Sequence, residues 1–107
     1  MSTTTKYAVV ISTYSNEDIG TKIINVLLAE KLAACIQVFP IKSFYTWKGA
    51  VSRDNENLML IKAKASDFDA IKDVIRKNHD YEIPEIVLVP IEGGFDGYLN
   101  WMSEVTR

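Results

Sequence analysis

Ala33-Ala34-Cys35-Ile36-Gln37-Val38-Phe39-Pro40-Ile41-Lys42-Ser43-Phe44-Tyr45-Thr46-Trp47 is the stretch on which the fold turns. Its β-branched and aromatic residues give it strand character. Proline lacks a ladder donor, so the strand is expected to stop at Pro40 and to resume at Ile41, as one broken or extended element. Lys48-Gly49 reads as a turn, and polar Ser52-Arg53-Asp54-Asn55 as a loop tip or the end of a hairpin. Leu58-Met59-Leu60-Ile61 is a further strand that continues through Lys62 and Ala63. Two strands therefore follow each other with no helix between them.

Reading outward, Tyr7-Ala8-Val9-Val10-Ile11-Ser12-Thr13 suits a central strand covered on both faces. Ser15-Asn16-Glu17-Asp18 supplies a cap signature, with the Ser15 hydroxyl accepting from the first turn and an acid three residues on. Ile19, Ile23, Val26 and Leu27 at helical spacing predict a helix to about Glu30 or Lys31. Ser66-Asp67-Phe68-Asp69 repeats the cap pattern, and Phe68, Ile71, Val74 and Ile75 predict a second helix ending near Asn78. Pro84 and Pro90 bracket a last strand. Asp96 caps a short final helix whose Tyr98, Trp101, Met102 and Val105 share one face.

The order β-α-β-β-α-β predicts an α+β, ferredoxin-like sandwich: two helices on one face of a four-stranded antiparallel sheet, an extended hairpin, and an added C-terminal helix. Residues 1–107 are expected to form a single domain, with residues 1–6 disordered. The apolar arm residues Ile36, Val38, Phe39, Ile41, Phe44, Tyr45 and Trp47 exceed what such a sandwich covers by itself. They predict an oligomer that pairs strands or stacks sheets across subunits.

Composition narrows the function classes. The 48% apolar content with 24% charged residues is ordinary for a folded domain, and a formal net charge of -2 offers no footprint for nucleic acid. An RNA-recognition module shares this element order but needs exposed aromatics on its central strands, which Leu58–Ile61 lacks. The lone Cys35 excludes an intrachain disulfide and fits a reducing compartment. The polar start is unlike a signal peptide and no apolar run reaches spanning length, so no membrane and a cytoplasmic location are expected.

Lys31-Leu32-Ala33-Ala34-Cys35-Ile36, Tyr45-Thr46-Trp47-Lys48-Gly49, His79-Asp80-Tyr81-Glu82-Ile83-Pro84-Glu85 and Tyr98-Leu99-Asn100-Trp101 occur in this order. Through these four motifs the chain resembles the CutA family of divalent-cation tolerance proteins over nearly its whole length. The resemblance implies a tightly packed homotrimer, similarity in architecture to PII signalling proteins, a loose association with copper and other divalent metals, and no enzymatic activity. Some members of that family carry a cysteine in the first strand and a second histidine before the motif histidine. Here Ser12 and Asn78 stand in those places.

Two site readings stay open. In the first, His79 with Glu82 and Glu85 forms a copper(II) or other divalent-ion site, imidazole nitrogen and carboxylate oxygen being suitable donors. Against it, His79 is equally placed to close the helix that ends at Asn78. In the second, Tyr45, Trp47, Glu56, Lys62 and Tyr81 line a cleft between subunits, the place where PII-like trimers hold a small anion or nucleotide. Against that, no glycine-rich phosphate loop is present, and Lys62, Trp47 and Tyr81 suit interface packing. Cys35 reads as a small core residue, and no nucleophile with a base is recognisable. A non-catalytic trimer of the metal response is the leading expectation, and a PII-like signalling trimer is the alternative.

Overall fold

The computed structural model describes residues 5–107. Of the tail expected to be disordered, residues 1–4 lie outside the described residues. Lys6 is part of the fold: its carbonyl accepts the Ala65 N–H at 2.8 Å. The described residues form strand β1 (Tyr7–Tyr14), helix α1 (Glu17–Ala29), strands β2 (Cys35–Trp47) and β3 (Ala50–Lys64), helix α2 (Phe68–Asn78), strand β4 (Ile86–Ile91) and helix α3 (Asp96–Val105). The strands make one antiparallel sheet in the order β2-β3-β1-β4. That is the expected mixed α+β, ferredoxin-like arrangement.

Side-chain alternation divides the sheet into two faces. Val10 and Ser12 of β1 and Met59, Ile61 and Ala63 of β3 turn toward the helices and are buried. Ile23 and Leu27 of α1 and Ile71 and Ile75 of α2 close the core over them. Each fully buried isoleucine or leucine stabilises the fold by about 1.5–3 kcal/mol. On the other face, Val9, Ile11, Leu58 and Leu60 are half-buried, and Val87 and Val89 are 45% and 46% exposed. β1 is thus covered fully by helices α1 and α2 on one face and only in part on the other. Helix α3 covers part of the second face: Ser103 meets the Tyr7 hydroxyl at 2.6 Å, and Lys62 Nζ lies 5.3 Å from the Tyr98 ring centre. Of the four residues assigned to one face of α3, Met102 is buried, whereas Tyr98, Trp101 and Val105 remain partly exposed.

The hairpin is longer and more regular than its one proline and its polar residues suggest. β2 runs unbroken through Pro40, which pairs with Asn57. β2 is an edge strand, so the missing proline N–H can face away from the ladder. Ser52–Asn55 lie within β3 opposite Lys42–Tyr45, and Lys48-Gly49 alone reverses the chain, at φ 50° and 79°. Two central residues of positive φ match the right-handed twist of a hairpin. β1 accompanies β3 only from Asn57 to Lys64, so Ile41–Trp47 and Ala50–Glu56 project as a two-stranded arm. The protein measures 44 × 28 × 23 Å.

Several end signals act differently from expectation. Asn16, not Ser15, caps α1, its side chain accepting from the N–H groups of Asp18 and Ile19. A short 3-10 turn over Ala65–Asp67 precedes α2, and Asp67 spends its carboxylate on Arg107 Nε at 3.1 Å instead of capping. Asp96 is the first residue of α3, not its cap, which is Phe95. β4 begins at Ile86 and includes Pro90, again because it is an edge strand. α1 ends with Lys31 at φ 57°, the Leu32 N–H returning to the Leu27 carbonyl at 2.9 Å. This left-handed ending satisfies a late helix carbonyl without glycine.

Candidate functional site

A cleft of about 640 Å³ lies between the arm and the loop that joins α2 to β4. The arm supplies Ser43, Phe44, Tyr45, Trp47, Asp54 and Glu56, and the loop supplies Tyr81, Glu82, Ile83 and Glu85. Thr13 and Ser15, at the end of β1, form the rest of the lining. Strand register explains why the arm contributes so many polar groups. Ser43 pairs with Asp54, Tyr45 with Ser52 and Ile41 with Glu56, which puts Ser43, Tyr45, Trp47, Asp54 and Glu56 on one side of the hairpin.

A hydrogen-bond chain ties the cleft walls together. The Tyr81 hydroxyl donates to Glu56 Oε1 at 2.7 Å and meets the Ser15 hydroxyl on its other side. Burial, with a smaller contribution from the Glu56 hydrogen bond and charge, pushes the Tyr81 phenol up to about 12, against a lowering by Ser15. The Tyr45 hydroxyl donates to Asp54 Oδ2, and that bond is the largest cause of the raised Tyr45 phenol pKa. Both phenols thus stay protonated and act as donors at neutral pH. Asn57 donates to Glu17 Oε1 at 3.0 Å, a second tie between the arm's base and the body.

His79 stands behind this cleft rather than in it. Its backbone N–H closes α2 on the Ile75 carbonyl at 2.9 Å. Its side chain is fully buried, with Nε2 2.7 Å from the Thr13 carbonyl and Nδ1 3.1 Å from the Tyr81 N–H. A carbonyl can only accept and an N–H can only donate, so the ring carries its proton on Nε2 and accepts at Nδ1. Both nitrogens are therefore occupied, and the ring supports Tyr81 from 4.4 Å, centre to centre.

The expected residues divide accordingly. Tyr45, Trp47, Glu56 and Tyr81 meet in one cleft, as do Glu82 and Glu85, which had been grouped with His79. Lys62 does not join them: it lies in the sheet opposite Val9 and Cys35, under the Tyr98 ring. Sequence reading missed Asp54, hidden in an apparent loop tip, and Ser15, taken for a helix cap. Ser52–Glu56 is polar at every position and carries no local strand signal, so only the pairing of Asp54 with Ser43 places it in the cleft. Among the described residues no group of three or more histidine, cysteine, aspartate or glutamate side chains is placed to hold a metal ion. The donor set therefore does not fit a histidine-anchored copper site, and only dispersed carboxylate oxygens face the cleft. No lysine, arginine or histidine lines it either, so the anion or nucleotide reading gains no support.

Comparison with known proteins agrees with this architecture. The family model described as CutA1 divalent ion tolerance protein matches residues 8–105. A chloroplastic CutA protein of Arabidopsis thaliana is 41% identical over 100 residues, covering 92% of this chain and 55% of the plant protein. The divalent-cation tolerance protein CutA of Thermus thermophilus is 38% identical over 99 residues, 92% of this chain and 96% of that protein. The chain thus spans little more than half of the plant relative but nearly all of the bacterial one. Among solved structures, the periplasmic divalent cation tolerance protein CutA of Archaeoglobus fulgidus superposes with a TM-score of 0.91 at 33% identity, covering 94% of this chain and 99% of that one. The Thermus thermophilus structure gives 0.89 at 37% identity, with the same coverage. Element order, sheet order and sequence agree over almost the whole length, and the chain belongs to the CutA1 divalent ion tolerance protein family.

Proposed function

We propose that this chain works as a homotrimer in the response to divalent metal ions, without catalysing a reaction, and that it meets metal weakly through carboxylate oxygens. The observation that carries this reading is the cleft lining: Asp54, Glu56, Glu82 and Glu85 with no cationic side chain among them. Among the described residues Glu82 and Glu85 have no hydrogen-bond or ion-pair partner, so they are the donors most open to an ion. Copper(II) at His79 would require the imidazole to give up Thr13 or Tyr81, which opposes tight binding. Assembly is supported by the apolar face that α3 leaves partly exposed, Val87 and Val89 included. No helix among the described residues is long and apolar enough to cross a membrane, and the single Cys35 suits the reducing cytoplasm.

Titration with copper(II), zinc and magnesium, each against wild type and the Glu82→Gln/Glu85→Gln pair, tests the metal reading. The proposal expects weak binding that the double substitution reduces further. Tight binding that ignores the substitution would overturn it.

A further inference from the structure

We propose that His79 and Asp80 form an acid-responsive switch on the main chain at Tyr81, in which uptake of a proton at His79 Nδ1 transfers that nitrogen from the Tyr81 N–H to the Asp80 carboxylate. In the neutral ring Nδ1 is an acceptor, 3.1 Å from the Tyr81 nitrogen. The same atom lies 3.4 Å from Asp80 Oδ1. While Nδ1 bears only a lone pair, the carboxylate beside it gains nothing from this approach. A proton from solvent reverses both relations: the new Nδ1–H cannot accept from Tyr81 and can donate to Asp80. Nε2 cannot exchange roles with it, because it keeps its hydrogen for the Thr13 carbonyl at 2.7 Å. Two arrangements of one ring nitrogen are therefore built into consecutive residues, and the ring's charge selects between them.

The groups facing the ring set the balance between the two arrangements. β1 presents the Thr13 carbonyl, whose oxygen suits a cationic ring as well as a neutral one. α2 presents its carbonyl end, since the His79 N–H closes the helix on Ile75, and that end also favours a cation. Arg76 and Lys77, in the last turn of the same helix, oppose a further positive charge, but both are exposed and screened. The loop presents Asp80, whose side chain is half-exposed, and Tyr81, whose phenol is pushed up to about 12 and stays protonated. The arm presents Glu56, reached only through the Tyr81 hydroxyl. Opposing the charged ring are its complete burial and the loss of the Tyr81 N–H bond. The Tyr81 hydroxyl meanwhile stays joined to Glu56 and Ser15. Acid thus frees the main chain between α2 and β4 without detaching the Tyr81 side chain. The inference is independent of the metal reading, because neither His79 nor Asp80 is among the carboxylates proposed to meet an ion.

The test is an NMR titration of the full chain, in its solution assembly, from about pH 8 to about pH 4, following the imidazole and the Tyr81 amide together. The sequence holds one histidine, so the ring signal is unambiguous. The Tyr81 amide signal is expected to shift along the same curve as the ring. Its hydrogen-exchange protection should fall about tenfold at the acid end, on losing one hydrogen bond. Asp80→Asn keeps the shape and removes the charge, so both curves should move together to lower pH. Circular dichroism follows the fold through the same range. A ring that takes up no proton while the chain stays folded, a Tyr81 amide indifferent to the ring, or Asp80→Asn curves that coincide with wild type would each overturn the proposal. So would a change at Tyr81 seen only together with global unfolding.

Discussion

Tyr81 donates its phenol hydrogen to Glu56 Oε1 at 2.7 Å, joining the loop after α2 to the base of the β2-β3 arm. The bond spans two elements that are far apart in sequence and meets Ser15 on the far side of the hydroxyl. Behind it, His79 holds the Tyr81 backbone and reaches the Thr13 carbonyl. This small polar cluster joins the arm, the end of β1 and the loop after α2 at one end of the cleft.

Tyr81→Phe keeps the ring and removes the two hydroxyl contacts. It should cost about 1 kcal/mol in denaturant unfolding, the net worth of an intramolecular hydrogen bond. The wild type should also lose stability as pH rises from 10 to about 12. In that window the unfolded phenol, at its ordinary value of 10.0, releases its proton while the folded one keeps it. Below pH 10 both states hold the proton and the contribution is complete. The variant should lack this part of the alkaline decline, as urea unfolding at pH 9 and pH 11 would show.

His79→Ala should destabilise the fold by about 2–4 kcal/mol, because it opens a cavity and leaves the Thr13 carbonyl and Tyr81 N–H without their partner. Copper(II) affinity should stay unchanged in the residual folded protein. A copper-specific loss with little change in stability would instead make His79 a ligand.

Ser12 is fully buried on the helix side of β1, and its hydroxyl has no partner among the described residues. Ser12→Ala removes that unmet group and should raise stability by about 1 kcal/mol. A fall in the unfolding midpoint would show that the hydroxyl is satisfied in solution.

Gly20→Ala tests a close approach inside α1. An added Cβ would come within 2.3 Å of Tyr14 Cε2, and that ring is only 4% exposed. Alanine gains about 1 kcal/mol in helix propensity. Displacing a packed ring costs about 1–3 kcal/mol, so the net effect should be neutral to destabilising. A clear gain in thermal stability would mean that Tyr14 moves freely.

Element order and both long helices were readable because Ile23 and Leu27, and Ile71 and Ile75, repeat at helical spacing and all four are buried. Pro40 and Ser52–Asn55 misled because local chemistry marks breaks, while edge position and cross-strand pairing decide whether the strand continues. The choice of Asn16 over its neighbour Ser15 depended on Tyr81, 66 residues away from Ser15, which takes the serine hydroxyl. The same distance hid the role of His79. Its motif displayed an imidazole beside acids, but the carbonyl that occupies Nε2 belongs to β1. Lys62 was misplaced because residue type suggested a cleft cation, whereas strand register sets it beneath α3.

The most direct test of the account is the mass of the protein in solution, measured by sedimentation equilibrium at micromolar concentration. The proposed homotrimer predicts about 36 kDa, three times the 12.1 kDa chain, with Trp47→Ala weakening association by about 2–5 kcal/mol. A stable 12.1 kDa species at that concentration would contradict it.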